Sequence, residues 1–287
     1  MKLGVSSYSL LGAMRKNEMD ILGAIQWVAD NGGAHIEIVP IDFSLVDNPE
    51  LTDQIVAKAK EAGIEISNYA IGANFITETR EQFEAEIERV KRHVDVVHRL
   101  GAKKMRHDIA SRPIPDTTPA QFDRDFPSLV EACRAVADYA SQFGITTSIE
   151  NHGYFVQNSE RVLRLVHVVD RANFRTTLDV GNFLCVDENP IAAVKKSLPH
   201  ASMVHFKDFY IRPSYRNPGD GWFPSAHGTY LRGAIVGQGD IDMPEMVRVI
   251  KASGYDGYLS LEFEGKEECK WGIVTGLNNI KRLWAEA

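Results

Sequence analysis

Four polar residues each close an apolar run: Glu150 after Thr147-Ser148-Ile149, Asp179 after Thr177-Leu178, His205 after Met203-Val204, and Glu262 after Leu259-Ser260-Leu261. Three carboxylates and one imidazole form a donor set for a hard-to-borderline divalent cation. Mn2+ suits it first, and Mg2+, Co2+ and Zn2+ are compatible. Taken singly, an acid at a strand end reads as a cap or a surface charge, and a strand histidine as a satisfied core residue. Taken together they share a pattern. Two positions before them stand Ser148, Thr177, Met203 and Ser260, which in an extended strand point the same way. The residues between, Ile149, Leu178, Val204 and Leu261, point the other way. Polar-in and apolar-out alternation opposes what a core wants. Burying such acids is costly unless a cation neutralises them.

Further candidates cluster near these ends. His152, two residues past Glu150, is a proton-transfer group or a loop residue. Asn182 and Lys207 bind substrate oxygens, or else hold a turn and an inter-strand ion pair. Arg106, His107 and Asp108 end one run, and Glu37 ends another, where it binds substrate or holds a loop. Trp222 and Phe223 offer an apolar face to a ring or to a second subunit. Glu264 has no clear direction.

Placing these residues at one rim requires a particular scaffold. Strand-like runs are expected at 2–9, 34–39, 64–69 and 102–107, then at the four ends above. Helical periodicities lie between them. Thr79 with Gln82 forms a capping box before the stripe Phe83, Ile87, Val90, Val94, Val97 and Leu100. Thr118-Pro119 opens another helix, and Asp242-Met243-Pro244-Glu245 combines a cap, a first-turn proline and a capping-box glutamate. Glycines 32, 63, 101, 144 and 254 stop helices. The span from Tyr210 to Gly239 shows no clean period and is expected to be an extended loop after strand seven. Eight alternating units predict a parallel sheet, and their number and size favour a single-domain (β/α)8 TIM barrel over residues 1–287. An open doubly wound sheet is the alternative, but no Gly-x-Gly-x-x-Gly follows the first strand.

The formal net charge of −7 argues against a nucleic-acid surface. Three scattered cysteines, Cys133, Cys185 and Cys269, suit neither a disulfide framework nor a thiolate zinc site. The amino terminus runs straight into a strand with no signal-peptide pattern, and no apolar run is long enough for a bilayer, so a cytoplasmic protein is expected.

The strand ends resemble the xylose isomerase-like barrel superfamily, the sugar isomerase and epimerase group that also contains endonuclease IV. The resemblance spans essentially the whole chain. It is carried by Ser148-Ile149-Glu150-Asn151-His152, Leu178-Asp179-Val180-Gly181-Asn182, Val204-His205-Phe206-Lys207-Asp208, and residues 237–242 with 254–262. It implies that Glu150, Asp179, His205 and Glu262 ligate the metal, and that Glu150 and Glu262 are the acid/base pair of its ketose 3-epimerase branch. The first expectation is therefore a divalent-metal-dependent sugar isomerase or epimerase that removes the proton beside a carbonyl. Its substrate is a small sugar or sugar derivative, and a homo-oligomer is compatible. The chain departs from the epimerase pattern at Asn182, where those enzymes carry histidine, and at Ile211, where they carry arginine. With His152 as acid or base, the same chemistry runs on to β-elimination. The alternative is thus a lyase or dehydratase of a keto-sugar, keto-glycoside or keto-cyclitol. A binding subunit without catalysis is a third reading. An endonuclease fits poorly, because Glu37 and Asn68 stand where its zinc cluster needs histidines.

Overall fold

The computed structural model describes residues 1–287. Strands β1 (Lys2–Ser6), β2 (His35–Ile38), β3 (Glu65–Ile71), β4 (Lys104–His107), β5 (Thr146–Glu150), β6 (Phe174–Asp179) and β7 (Ala201–Phe206) pair in parallel in chain order. Three short strands follow, β8 (Asp208–Arg212), β9 (Phe223–Pro224) and β10 (Tyr230–Ala234), before β11 (Tyr258–Leu261) slots between β7 and β1 to close the barrel. Helices α1 (Leu11–Arg15), α2 (Ile21–Asp30), α3 (Pro49–Ala62), α4 (Arg80–Leu100), α5 (Pro119–Ser141), α6 (Ser159–Val169), α7 (Pro190–Ser197), α8 (Met243–Ala252) and α9 (Cys269–Glu286) lie between and after the strands. The expected single-domain (β/α)8 barrel is the observed fold. No helix is long and apolar enough to cross a membrane.

The outward residues of the strands pack on the helices in one core of 67 buried side chains. The α4 stripe expected from the sequence is buried along its length, and Thr79 and Gln82 cap it reciprocally. At α8 only half of the expected box forms. Asp242 accepts from the Glu245 N–H at 3.0 Å, while the Glu245 carboxylate turns outward to Arg248 and Lys195.

The span expected to be irregular contains instead an antiparallel sheet in the order β8-β10-β9. Its small core is Phe209 and Leu231 against Cys185. Asp208 anchors it. Its buried carboxylate accepts N–H bonds from Phe209, Gly237 and Gly239 at 2.9 Å and from Ile241 at 3.3 Å. A Cβ at Gly239 would lie 2.2 Å from Asp208 Oδ1, so the loop reaches that carboxylate only without a side chain.

Candidate metal centre and its cavity

Register builds the site. Glu150 pairs with Thr177, Asp179 with His205, and His205 with Ser260. Glu262 lies one residue past β11, and its N–H still bonds the Phe206 carbonyl at 3.0 Å. The hydroxyls of Ser148 and Thr177 bond each other at 2.8 Å in the layer beneath. Four ligand atoms, one each from Glu150, Asp179, His205 and Glu262, lie within 4.8 Å of one another.

Each of the four is held from behind. Asn151 clasps the end of β6, donating to the Asp179 carbonyl at 2.8 Å and accepting the Asp179 N–H at 2.9 Å. Asp179 Oδ1 accepts the N–H groups of Gly181 and Asn182 at 2.7 and 2.8 Å. Gly181 is required there because a Cβ would sit 2.8 Å from the Lys207 carbonyl oxygen. Glu150 takes Arg106 Nη2 at 2.7 Å and Asn182 Nδ2 at 3.0 Å. The His205 ring is gripped through Nε2, 2.8 Å from Glu37 Oε2, and Asn68 donates to the other Glu37 oxygen at 3.3 Å.

Two buried atoms that face the cluster have no hydrogen-bond partner: Asp179 Oδ2 and His205 Nδ1. Glu262 Oε2 is 2.8 Å from that nitrogen but is not aligned for a hydrogen bond. An imidazole fixed by a carboxylate at one nitrogen, with its other nitrogen free among carboxylates, is the usual state of a metal-binding histidine. The donor set and its orphan atoms therefore fit a divalent cation.

The electrostatics agree. Burial alone would lower the His205 pKa, yet Glu37 and Glu262 push it well above its ordinary value. Burial opposes the charge on Lys207 too, but Asp179, Glu262 and Glu264 hold it well up. Burial would raise the Glu262 pKa, but Lys207 and His205 hold it well below the carboxylate range. Asp179 moves up to about 6, through burial and the nearby charges of Glu150 and Glu262, despite Lys207.

A cavity of about 400 Å3 opens above this cluster at the carboxyl ends of the strands. Glu150, Glu262, His205, His152, Arg106 and Glu37 line it. His152 is half-exposed with Nδ1 3.6 Å from Asp108 Oδ1, and Asp108 in turn holds Arg106 at 2.9 Å. Burial lowers the His152 pKa, but Asp108 and Glu150 more than reverse this and raise it.

Other expected site residues are placed differently. Asn182 and Lys207 are buried behind the carboxylates. Asn182 Oδ1 accepts from Lys207 Nζ at 3.2 Å, and Lys207 Nζ lies 3.1–3.4 Å from Glu262, Glu264 and Asp179. Neither lines the cavity. His107 does not face the mouth. Arg106 takes the inward direction on β4, so His107 points outward, fully buried, with its ring edge-on to Phe75 and Nδ1 2.9 Å from the Asp108 carbonyl. Trp222 also lies off the cavity, its ring covered by the guanidinium groups of Arg212 and Arg232 at 5.3 and 5.5 Å.

Glu264, whose direction the sequence leaves open, faces the cavity, and three further lining residues escape a strand-end reading: Tyr8, Arg89 and His93. The sequence puts Tyr8 on one strand face with Gly4 and Ser6, but β1 ends at Ser6 and Tyr8 reaches the cavity from a 3-10 turn over Ser7–Leu10. Arg89 and His93 stand on α4 and reach the cavity past the small residues Ala70 and Gly72. Nothing local in the sequence signals that.

A family model described as xylose isomerase-like TIM barrel matches residues 25–283. The chain belongs to that family. Among curated relatives, it is 24% identical to an inosose dehydratase of Lacticaseibacillus casei over 188 residues, 60% of this chain and 61% of that enzyme. The chain thus matches only about three-fifths of that relative's length. With an inosose dehydratase of Bacillus thuringiensis (strain Al Hakam), 24% identity extends over 278 residues, 92% of this chain and 90% of that enzyme. The barrel superposes on the probable 3-DHS dehydratase AsbF of Bacillus anthracis with TM-score 0.74 and 17% identity, covering 99% and 98% of the two chains. On the IOLI protein with a bound zinc atom the TM-score is 0.74, at 20% identity and 100% and 99% coverage. On the 3-keto-D-glucoside 4-epimerase YcjR of E. coli it is 0.72, at 16% identity and 98% and 99% coverage. At these identities the structural likenesses concern the fold.

Proposed function

We propose that the protein is a divalent-metal-dependent lyase that dehydrates a keto-polyol by β-elimination. The carrying observation is the His152–Asp108 pair on the wall of the cavity that also holds Glu150 and Glu262. Removing the proton beside a carbonyl needs a carboxylate base. Expelling a hydroxyl one carbon further needs an acid as well, and an imidazole with a raised pKa beside a carboxylate supplies one. The names of the curated relatives support this reading over the epimerase expected first.

Glu150, Asp179, His205 and Glu262 would hold the cation. Once bound, it supplies Lewis-acid stabilisation of charge developing on the substrate carbonyl oxygen. Arg106 and Asn182 hold Glu150, while Lys207, 3.1 Å from Glu262, favours its ionised form. One of these carboxylates takes the proton from the carbon beside the carbonyl. The carbon–oxygen bond of the β-hydroxyl then breaks, its electron pair leaves with oxygen, and the imidazolium of His152 donates the proton that makes water. Val39, Pro40, Ile41 and Ile71 form the apolar side of the cavity.

The second reading is epimerisation. It is favoured by the presence of both Glu150 and Glu262 on the cavity, since inversion needs a base and an acid on opposite sides of one carbon. His152→Gln separates the two. Under dehydration it lowers water loss on the order of a hundredfold while deuterium exchange beside the carbonyl persists in D2O. A variant with unchanged product formation overturns the dehydratase.

A further inference from the structure

The charge and hydrogen-bond inventory of the cavity limits what enters it. Five carboxylates line it, from Glu37, Asp108, Glu150, Glu262 and Glu264, against two guanidinium groups, Arg89 and Arg106, and the imidazole of His152, which faces Asp108 at 3.6 Å and on the proposed reading is the proton donor. Both guanidiniums are already committed. Arg106 lies at 2.7 Å from Glu150 and 2.9 Å from Asp108. Arg89 makes a two-point pair with Glu86 at 2.7 and 2.8 Å, donates to the Gly72 carbonyl at 2.7 Å and meets the His93 ring at 3.2 Å. That imidazole is neutral, its pKa lowered to about 4 by burial and the neighbouring arginines. The one buried ammonium nearby, Lys207, is shared among three acids. Counting Asp179 and Glu86 as well, a divalent ion leaves the acids in excess.

Carboxylates only accept hydrogen bonds, and a hydroxyl-bearing substrate donates them. Ser6 Oγ, on the same wall, is also buried without a partner. A phosphate or carboxylate on the substrate is itself an acceptor. It meets the ring of His152, which already faces Asp108, and otherwise a ring of like charge, since the unpaired Nε–H of Arg106 is buried.

We infer that the substrate is an uncharged polyhydroxy ketone, not a sugar phosphate or a keto-acid, and that Glu264 helps to reject the anion. This rests on the keto-polyol reading and narrows it. The test uses matched pairs with the metal-loaded protein: inosose against 3-dehydroshikimate, and D-fructose against D-fructose 6-phosphate. Binding is measured by calorimetry, and turnover by exchange and product formation in D2O. The neutral member of each pair is expected to bind on the order of a hundredfold more tightly, the scale set by a like charge a few ångströms away at intermediate dielectric. Equal affinity within the pairs, or preference for the anion, overturns the inference whether or not turnover is seen. Preferred binding of the neutral member without exchange or water loss keeps the inference and removes the catalytic reading. In Glu264→Gln, which leaves Lys207 with one acid fewer, the preference is expected to shrink about tenfold. An unchanged ratio in a folded variant removes Glu264 from the account.

Discussion

Glu37→Gln tests the metal reading at a residue that is not a member of the donor set. Glu37 Oε2 lies 2.8 Å from His205 Nε2, and both side chains are buried. The carboxylate fixes which nitrogen carries the proton and makes the other a better donor. Removing such a partner weakens metal affinity roughly 10- to 100-fold, or about 1.4–2.8 kcal/mol. Glutamine keeps the shape and one acceptor, and Glu262 remains 2.8 Å from the ring, but the buried His205 loses its partner charge, so the metal-free protein should lose about 1.5–3 kcal/mol. Metal at a hundred times the parental Kd stabilises the parent by about 2.7 kcal/mol. At the same concentration the variant gains only about 0.4–1.4 kcal/mol by the same relation. For a chain of this size the parental gain is a rise of about 5–10 °C in Tm, and the variant's about 1–5 °C. Calorimetric titration with Mn2+ and Zn2+, paired with thermal melts with and without chelator, reads both quantities. A variant that binds metal like the parent and only melts earlier without it refutes the reasoning and makes Glu37 a structural residue.

Two further outcomes concern stability. His35 and His107 are buried, and burial lowers each pKa to about 4. Between that value and the unfolded value of about 6.5 the unfolded chain binds more protons, so stability falls as the pH falls, by about 2 kcal/mol for each histidine at pH 5. His107→Gln should flatten the dependence of unfolding free energy on pH between 7 and 5 by that amount, and a parallel curve would show that His107 is already charged. In Gly239→Ala, the new methyl would lie 2.2 Å from Asp208 Oδ1 and 2.7 Å from the Phe209 carbonyl. The expected loss in urea unfolding is about 2–3 kcal/mol, and a change under about 0.5 kcal/mol would mean that the loop moves freely off the aspartate.

The strand-end acids were legible because they depend on local alternation. A strand that buries polar groups inward and apolar groups outward declares its inner face over a few residues. The same rule misled at β4. Arg106 and His107 are neighbours, only one can point inward, and nothing local says which. The β8–β10 sheet was hidden because its pairing is antiparallel across a long loop, Arg212 meeting Tyr230, with Phe209 and Leu231 the only large apolar side chains fully buried in its two strands to mark it. Asn182 and Lys207 were legible as polar residues of the site. Their placement behind the carboxylates was not, because that depends on how Gly181 lets the chain turn against Lys207.

Closure of the barrel explains where legibility stops. The metal-competent acids and histidine come from β5, β6, β7 and the end of β11, each announced by its own strand. The facing wall, which bears Ser6, Glu37, Ala70, Arg106, Arg89 and His93, comes from β1 to β4 and from α4. Its members gain meaning only across the barrel. Glu37 and His205 are 168 residues apart and lie on strands that do not pair. On the proposed reading, one half of the barrel carries the chemistry and the other decides which molecule reaches it. Exchanging Arg89 should therefore change which ketone is accepted while the donor set keeps its metal, whereas exchanging Asp179 should cost metal for every substrate alike.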